Sequence, residues 1–325
     1  MLKDILLQLQ PEFYRPTLAR LIVTHNCPLK CQMCSFWHEW KQDPTTEDLK
    51  AWIKELVDFG VEDISLGGGE PFIRKDLTEL VEEIHSYGIT CGVTTSGWIE
   101  KDPFPPVDRV EVSIDGAKPE THDKIRGMEG SWEKAVGLVK RLKEMGKINQ
   151  INQINFVLQR DNYLELEEYT KMAKSLGVKA SIIPISLDLV AQPRLDGGLA
   201  EIDPVLLRDQ IEKAYAVGNV ATSREFIEFW LAKANQEETR TRCLAPNVEI
   251  LVFATGDVYP CGNIQKPVGN LREASLENIY RGYRERRKEI REGSYSACDE
   301  CIYPDIIFAR GFWQNTERLF KRVLP

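Results

Sequence analysis

His25-Asn26-Cys27-Pro28-Leu29-Lys30-Cys31-Gln32-Met33-Cys34 is the stretch on which the reading of this chain turns. Three thiols in one short loop, spaced CxxxCxxC, can close around a single compact soft-metal centre and leave it one protein ligand short of four. A structural zinc site is normally closed by four protein ligands, whereas a centre that works on a substrate keeps a position free. His25 precedes the loop without a second histidine at zinc-finger spacing, so sulfur ligation of an iron–sulfur cluster is the favoured chemistry.

Working outward, the loop sits at the end of an apolar strand pattern, Leu18 to Thr24, and is followed by repeated strand and helix signals. Thr45-Thr46-Glu47-Asp48 is a helix start, Leu49, Trp52, Ile53, Leu56 and Val57 fall at helical spacing, and Gly60 closes the element. Strand patterns follow at Asp63 to Leu66, Thr90 to Thr94, Arg109 to Ile114, Ile151 to Leu158 and Ala180 to Ile185. Helical patterns lie between them at Asp76 to Tyr87, Ser131 to Met145 and Leu164 to Leu176. Such alternation predicts a parallel sheet with its chemistry at the carboxyl ends of the strands. The segment Trp98 to Asp108 carries three prolines, so this crossover is expected to be a loop rather than a helix. Lys147 to Asn155 repeats with period three, which fits neither a helix nor an alternating strand, and has no functional account at this level.

The polar residues obey the strand-end rule. Gly67-Gly68-Gly69-Glu70-Pro71 follows the second strand, Thr95-Ser96-Gly97 the third, and Ser113-Ile114-Asp115-Gly116 with His122-Asp123 and Arg126-Gly127 the fourth. In this setting the CxxxCxxC loop resembles the signature of radical S-adenosylmethionine (SAM) enzymes. The glycine run resembles that family's GGEP motif, and the fourth-strand segment its "SxDG…HDxxRG" pattern. The resemblance implies a partial (β/α)6 TIM-like barrel with a small C-terminal β-hairpin plus helix. It also implies that Cys27, Cys31 and Cys34 hold a 4Fe–4S cluster chelated by SAM, and that SAM contacts come from Met33, Gly68, Gly69, Glu70, Ser96, Ser113 and Arg126. Met33 stands where the family usually has an aromatic and Ser96 where it usually has Asn. The implied chemistry is reductive cleavage of SAM to a 5′-deoxyadenosyl radical, which takes a hydrogen atom from the substrate.

Cys243, Cys261, Cys298 and Cys301 form a second group. Val248 to Phe253, the turn Thr255-Gly256-Asp257 and Val258 to Cys261 read as a hairpin returning Cys261 beside Cys243, with Cys298-Asp-Glu-Cys301 arriving later. On spacing alone zinc and iron–sulfur are both admissible. The order CxxP, GxVxPC, GNL, CxxC resembles the twitch domain, a shortened SPASM domain, of a radical SAM dehydrogenase that oxidises an amino-cyclitol. That resemblance implies one fully ligated auxiliary 4Fe–4S cluster, two clusters in all, and a use in electron transfer. A two-electron oxidation of a small molecule is therefore expected, with a peptide substrate, crosslinked or epimerised, as the alternative and a zinc-binding structural protein as the reading from another class. Asp188, Asp196 and Asp257 are candidate general bases by location. Cys91 stands apart from both groups, as an inert core thiol or a hydrogen-atom donor.

The remaining expectations come from size and charge. The chain of 325 residues, with a formal net charge of -8, is read as an N-terminal extension (1–17), a radical SAM partial barrel (18–190), a helical linker (191–240), an auxiliary-cluster domain (241–305) and a C-terminal tail (306–325). The acidic balance disfavours nucleic acid as a partner. No apolar run reaches the roughly 20 residues needed to span a bilayer, and no signal peptide is evident at the N-terminus, so no membrane partner and a cytoplasmic location are expected. Eight cysteines in such a setting point to metal rather than disulfides. A reductant such as flavodoxin or ferredoxin is the implied protein partner, and the 17 residues before the first strand are too short for a separate peptide-recognition domain.

Overall fold

The computed structural model describes residues 15–37, 42–147, 151–185, 202–234, 249–262 and 266–283. Six strands, β1 (Leu18–Thr24), β2 (Asp63–Gly68), β3 (Thr90–Thr95), β4 (Arg109–Ser113), β5 (Ile151–Leu158) and β6 (Lys179–Pro184), lie side by side in chain order and all pair in parallel. Beyond β1 the sheet continues into β7 (Glu249–Val252), parallel to β1, and then the antiparallel β8 (Asp257–Tyr259) and β9 (Gly269–Asn270). The two outer strands of the order, β6 and β9, do not pair, so the curl is an unclosed, partial barrel.

Helices α1 (Thr46–Phe59), α2 (Leu77–Ser86), α3 (Pro119–Arg126), α4 (Ser131–Glu144) and α5 (Leu166–Leu176) make the crossovers. The start of α1 is a full capping box, Thr45 accepting from the Asp48 N–H while Asp48 accepts from the Thr45 N–H, and Gly60 ends it at φ 111. Between β3 and β4 there is no helix, in keeping with the three prolines. Instead Phe104 of that loop packs on Phe72 at 5.5 Å.

Alternate residues of each strand face opposite ways. Leu21 and Val23, Ile64 and Leu66, Cys91 and Val93, Val110 and Val112, Ile154 and Phe156, Ala180 and Ile182 share one core with the helices. The other set, Arg20, Ser65, Thr94, Glu111, Ser113, Gln153 and Asn155, therefore lines the concave side. Of the period-three segment the described residues 151–155 open β5: Ile154 enters the core, while Gln153 donates to Asn155 (2.9 Å) and Asn155 to Glu111 (3.0 Å).

Two expectations about the back half of the chain change. The described part of residues 191–240 is no linker: Leu207, Ile211 and Ala214 of α6 (Pro204–Val217) and Phe226, Ile227 and Trp230 of α7 (Arg224–Ala234) belong to the barrel core. The segment between these helices covers the β6 edge, Ala180 donating to the Asn219 carbonyl (2.9 Å) and accepting from the Ala221 N–H (2.7 Å). The β7–β8 hairpin extends the barrel sheet, and α8 (Leu276–Gly282) packs Tyr280 edge-on against Phe59 of α1 at 4.8 Å.

Leu66 is fully buried in the core and Val205 is 75% exposed. Leu66→Ala is expected to cost roughly 2–5 kcal/mol and Val205→Ala within about 0.5 kcal/mol, read from urea unfolding of the metal-free protein.

Candidate active site

The cysteine loop leaves the carboxyl end of β1 and is tied down at once by Asp43. That carboxylate accepts from the Thr24 hydroxyl (2.6 Å), the His25 N–H (3.0 Å) and the Asn26 side-chain amide (2.8 Å). Further along, the Cys31 carbonyl accepts from the Cys34 N–H (3.2 Å) and the Trp37 indole (3.1 Å). Two neighbouring elements clamp the loop through glycines. Gly69 and Glu70 donate to the Thr24 and Asn26 carbonyls, both at 2.9 Å, and a Cβ on Gly69 would lie 2.2 Å from the Asn26 oxygen. At the end of α3 a Cβ on Gly127 would lie 2.3 Å from the Lys30 oxygen, while Gln32 donates to Ile125 (2.9 Å). Sequence alone reads the glycine run as room for a ligand; here Gly68 and Gly69 make room for the chain's own cysteine loop.

The loop brings the three front cysteines into one apolar cluster. Cys31 and Met33 are buried with Leu29, Ile125 and Ile185, and half-buried Cys27 and Cys34 join them beside Trp98, Met128 and Val157. Burial pushes the Cys27 thiol up to about 12 and the Cys34 thiol up to about 11, and raises Cys31 as well; the charges of the other thiolates add to the shift at Cys27 and Cys34. Three such thiols ionise together only beside a metal cation, so the donor set fits a soft metal cluster. No three His, Cys, Asp or Glu groups among the described residues converge as the ligands of a single ion would. Cys27, Cys31 and Cys34 are the residues that would hold an iron–sulfur cluster, whose characteristic ligand is cysteine.

The fourth-strand motif resolves into distinct tasks. Asp115 is fully buried, accepts from the Val157 N–H (2.7 Å) and meets Arg126 Nε at 2.6 Å, an ion-pair contact outside hydrogen-bond alignment. Arg126 Nη1 reaches Cys31 Sγ at 3.9 Å. His122 accepts at Nδ1 from the Asp115 N–H (2.9 Å), and burial, followed by the Arg126 charge, lowers its pKa to about 3. Asp123 starts α4 by accepting from Gly130 N, Ser131 Oγ and Trp132 N at 2.7–2.8 Å. Glu70, fully buried, takes donors from Phe72 N (3.1 Å), Thr95 Oγ1 (2.8 Å), Ser96 N (2.8 Å) and Ser96 Oγ. The Glu70 carboxylate and the Ser96 hydroxyl thus bind each other and latch β2 to β3.

Several candidates part company with the site. Cys91 faces the helices, fully buried in the core, with its thiol directed to the Gly92 carbonyl (3.7 Å), so it is no hydrogen-atom donor to the concave side. Asp257 shapes the β7–β8 turn by accepting from Thr255 Oγ1 (2.6 Å) and Asn270 Nδ2 (2.9 Å), a structural use of both its oxygens. Cys261 follows β8 and is half-buried. Asp188, Asp196, Cys243, Cys298 and Cys301 lie outside the described residues.

Sequence reading missed a set of polar groups on the concave face. Arg20, with its side chain 46% exposed, donates Nε to Glu249 of β7. The Glu249 charge, ahead of the opposing effect of burial, pushes the Arg20 pKa up, and Glu111 adds to it. At the amino end Arg109 makes two bonds to Asp63 (2.6 and 2.9 Å), passing Gly92, where a Cβ would stand 2.7 Å from the guanidinium. The signal was present as charged residues at alternate positions of apolar strands, Arg20 and Glu111 above all.

A model of the Radical SAM superfamily matches residues 21–173, and one of the SPASM iron–sulfur cluster-binding domain matches residues 243–302. The chain is a radical SAM enzyme with a SPASM-type domain. Its cofactors are accordingly 4Fe–4S clusters and SAM, and the zinc-protein reading falls. Similar curated proteins include an AdoMet-dependent heme synthase of Methanosarcina barkeri, 28% identical over 296 residues and 82% of each chain. Another is a PqqA peptide cyclase of Rhizobium meliloti, 28% identical over 289 residues, covering 82% of this chain and 74% of its own. Among solved structures, Streptococcus suis SuiB bound to S-adenosylmethionine aligns with a TM-score of 0.66 at 20% identity, over 86% of this chain and 70% of SuiB. The structure of anSMEcpe with bound AdoMet and Cp18Cys peptide aligns with a TM-score of 0.60 at 20% identity, over 91% and 89%. At these identities the likeness concerns the radical SAM fold. No helix among the described residues is long and apolar enough to cross a membrane.

Two outcomes follow from this geometry. Gly69→Ala should destabilise the metal-free protein by about 1–3 kcal/mol in urea unfolding and lower the iron retained after anaerobic reconstitution, because a methyl group has no place against Asn26. His122 stays neutral in the native protein down to about pH 3, whereas the unfolded chain protonates it below its ordinary value of 6.5. Stability should therefore fall as pH drops between those values, and His122→Asn should flatten that slope in urea midpoints measured across the range.

Proposed function

We propose that Cys27, Cys31 and Cys34 hold the radical-generating cluster and that the concave face above β1–β6 receives a polar substrate for a two-electron oxidation. The observation that carries this reading is the apolar cluster that gathers buried Cys31 with half-buried Cys27 and Cys34 beyond the carboxyl end of β1, with Arg126 against it. When cluster and SAM are bound, they supply one-electron cleavage of a SAM carbon–sulfur bond, and with it the power to remove hydrogen from an unactivated carbon.

The chain's own residues do the holding and shielding. Leu29, Met33, Trp98, Ile125 and Ile185 exclude water from the thiols, and Met33 offers its sulfur to the adenine. Since the Glu70 carboxylate is occupied, the main chain of Gly68, Gly69 and Glu70 is the part that meets the SAM amino group, with Glu70 and Ser96 acting as its scaffold. Ser113, at the end of β4, and the spare N–H groups of Arg126 are assigned to the SAM carboxylate. Exposed Arg20 and half-buried Ser65, Thr94 and Glu111 line the substrate side, and their polar side chains favour a polar molecule over an apolar one.

Cys243, Cys261, Cys298 and Cys301 are assigned to an auxiliary 4Fe–4S cluster in residues 241–305, with electron acceptance as its use. A ferredoxin- or flavodoxin-type reductant is the assigned electron donor, and the cytoplasm its setting. The second reading is peptide modification, favoured by the similarity to a PqqA peptide cyclase.

Anaerobically reconstituted protein is expected to carry about eight irons and eight sulfides per chain; about four would withdraw the rear assignment. Cys31→Ala should lower SAM cleavage by dithionite at least ~100-fold, and parental rates in that variant would sink the reading. With deuterated candidate substrates, label in 5′-deoxyadenosine and a product that has lost that deuterium and one further hydrogen mark oxidation, whereas a product in which the deuterium has been replaced by hydrogen marks epimerisation.

A further inference from the structure

Among the described residues Cys31 is the front thiol that takes a hydrogen bond from a charged side chain, and that donor is held in place with unusual completeness. Arg126 ends α3, its side chain 11% exposed, and the next residue, Gly127, abuts the Lys30 carbonyl of the cysteine loop. Its Nε meets the fully buried Asp115 at 2.6 Å and its Nη1 lies 3.9 Å from Cys31 Sγ. Asp115 is itself anchored at three further atoms. Its N–H donates to His122 Nδ1 (2.9 Å), its carbonyl accepts from Asn162 Nδ2 (3.0 Å), and Oδ1 accepts from Val157 N (2.7 Å). A carboxylate, a guanidinium and a sulfur thus form one fixed row in a desolvated part of the molecule.

Binding SAM does not require this row. A guanidinium that only gripped the SAM carboxylate would need no sulfur on its other edge. Hydrogen bonds and positive charge at a cluster sulfur stabilise the reduced, more negative cluster and raise its reduction potential. A buried carboxylate behind the guanidinium opposes that effect, and the poor screening around both groups makes each contribution larger than at a surface.

We propose that the Asp115–Arg126 pair sets the reduction potential of the front cluster: Arg126 raises it through the Cys31 sulfur, and Asp115 limits the rise. This rests on the assignment of Cys27, Cys31 and Cys34 to that cluster. Arg126 is a positioning and tuning residue here, acting on the electron-transfer step through a ligand atom.

The test is an EPR-monitored redox titration of the reconstituted full chain without SAM, the front cluster being recognised as the one whose reduced signal changes when SAM is added. Asp115→Asn, which leaves the cation uncompensated, should move the midpoint upward. Arg126→Gln, which removes the cation, should move it downward, and Arg126→Lys should recover part of that loss. Since Arg126→Gln leaves a buried carboxylate unpaired and risks misfolding, the uncharged double variant R126Q/D115N serves as a second arm, with a midpoint below that of the parent and above that of Arg126→Gln if the latter folds. A merely structural role would leave the midpoints unmoved or displace them all in one direction, and either result overturns the proposal. Should the parental protein bind iron yet show no cluster signal that responds to SAM, the front assignment fails, and the tuning proposal fails with it.

Discussion

The close approach of backbone to backbone around the cysteine loop is what the site depends on. Gly69 and Gly127 bring two separate elements against the Asn26 and Lys30 carbonyls at distances where a methyl group would collide. Neither contact involves a functional side chain. Together they set the path of a loop with no regular secondary structure, and so bring Cys27, Cys31 and Cys34 into a shared apolar pocket. Rigid first contacts of this kind suit a metal centre, because ligand atoms that wander lower affinity and admit water.

That constraint explains the division of labour within the motifs. Glu70 looks like a ligand residue and acts as a latch; Asp115, His122 and Asp123 look like acid–base groups and spend their polar atoms on Val157, Asp115 N and the start of α4. A hydrogen bond offsets the cost of burying a polar group, and here Asp115 ties the end of β4 to β5 while Asp123 ties α3 to the start of α4. Ser113 and Arg126 are left as the members of the fourth-strand motif that turn toward the centre. The same economy holds on the concave face, where Arg20–Glu249 and Arg109–Asp63 join neighbouring parts of the sheet while leaving a polar surface.

The rear of the chain illustrates how tightly the parts are joined. β7 adds to β1 in parallel, α8 sits on α1, and Arg20 of the barrel meets Glu249 of β7. Residues that read as a linker contribute Trp230 and Phe226 to the main core. Their aromatic stripe was visible in the sequence, but which surface it covers depends on β6 being an open edge, a property of the whole sheet.

Much was determined by sequence alone. Strand boundaries such as Leu18–Thr24 and Ile151–Leu158, the capping box at Thr45 and the glycine stop at Gly60 are local matters of side-chain pattern and backbone geometry. Three thiols at fixed spacing pointed to a soft-metal centre with one position open, and the chemical class came from the resemblance of that loop and the motifs after it to a known family. Tertiary structure decided which motif residues are free to act. That Cys91 faces helices, that Asp257 makes a turn, that Glu70 is saturated and that Arg126 lies against Cys31 are facts about neighbours distant in the chain. Spacing along a sequence sets what a residue can reach locally; only packing sets what has already claimed its atoms.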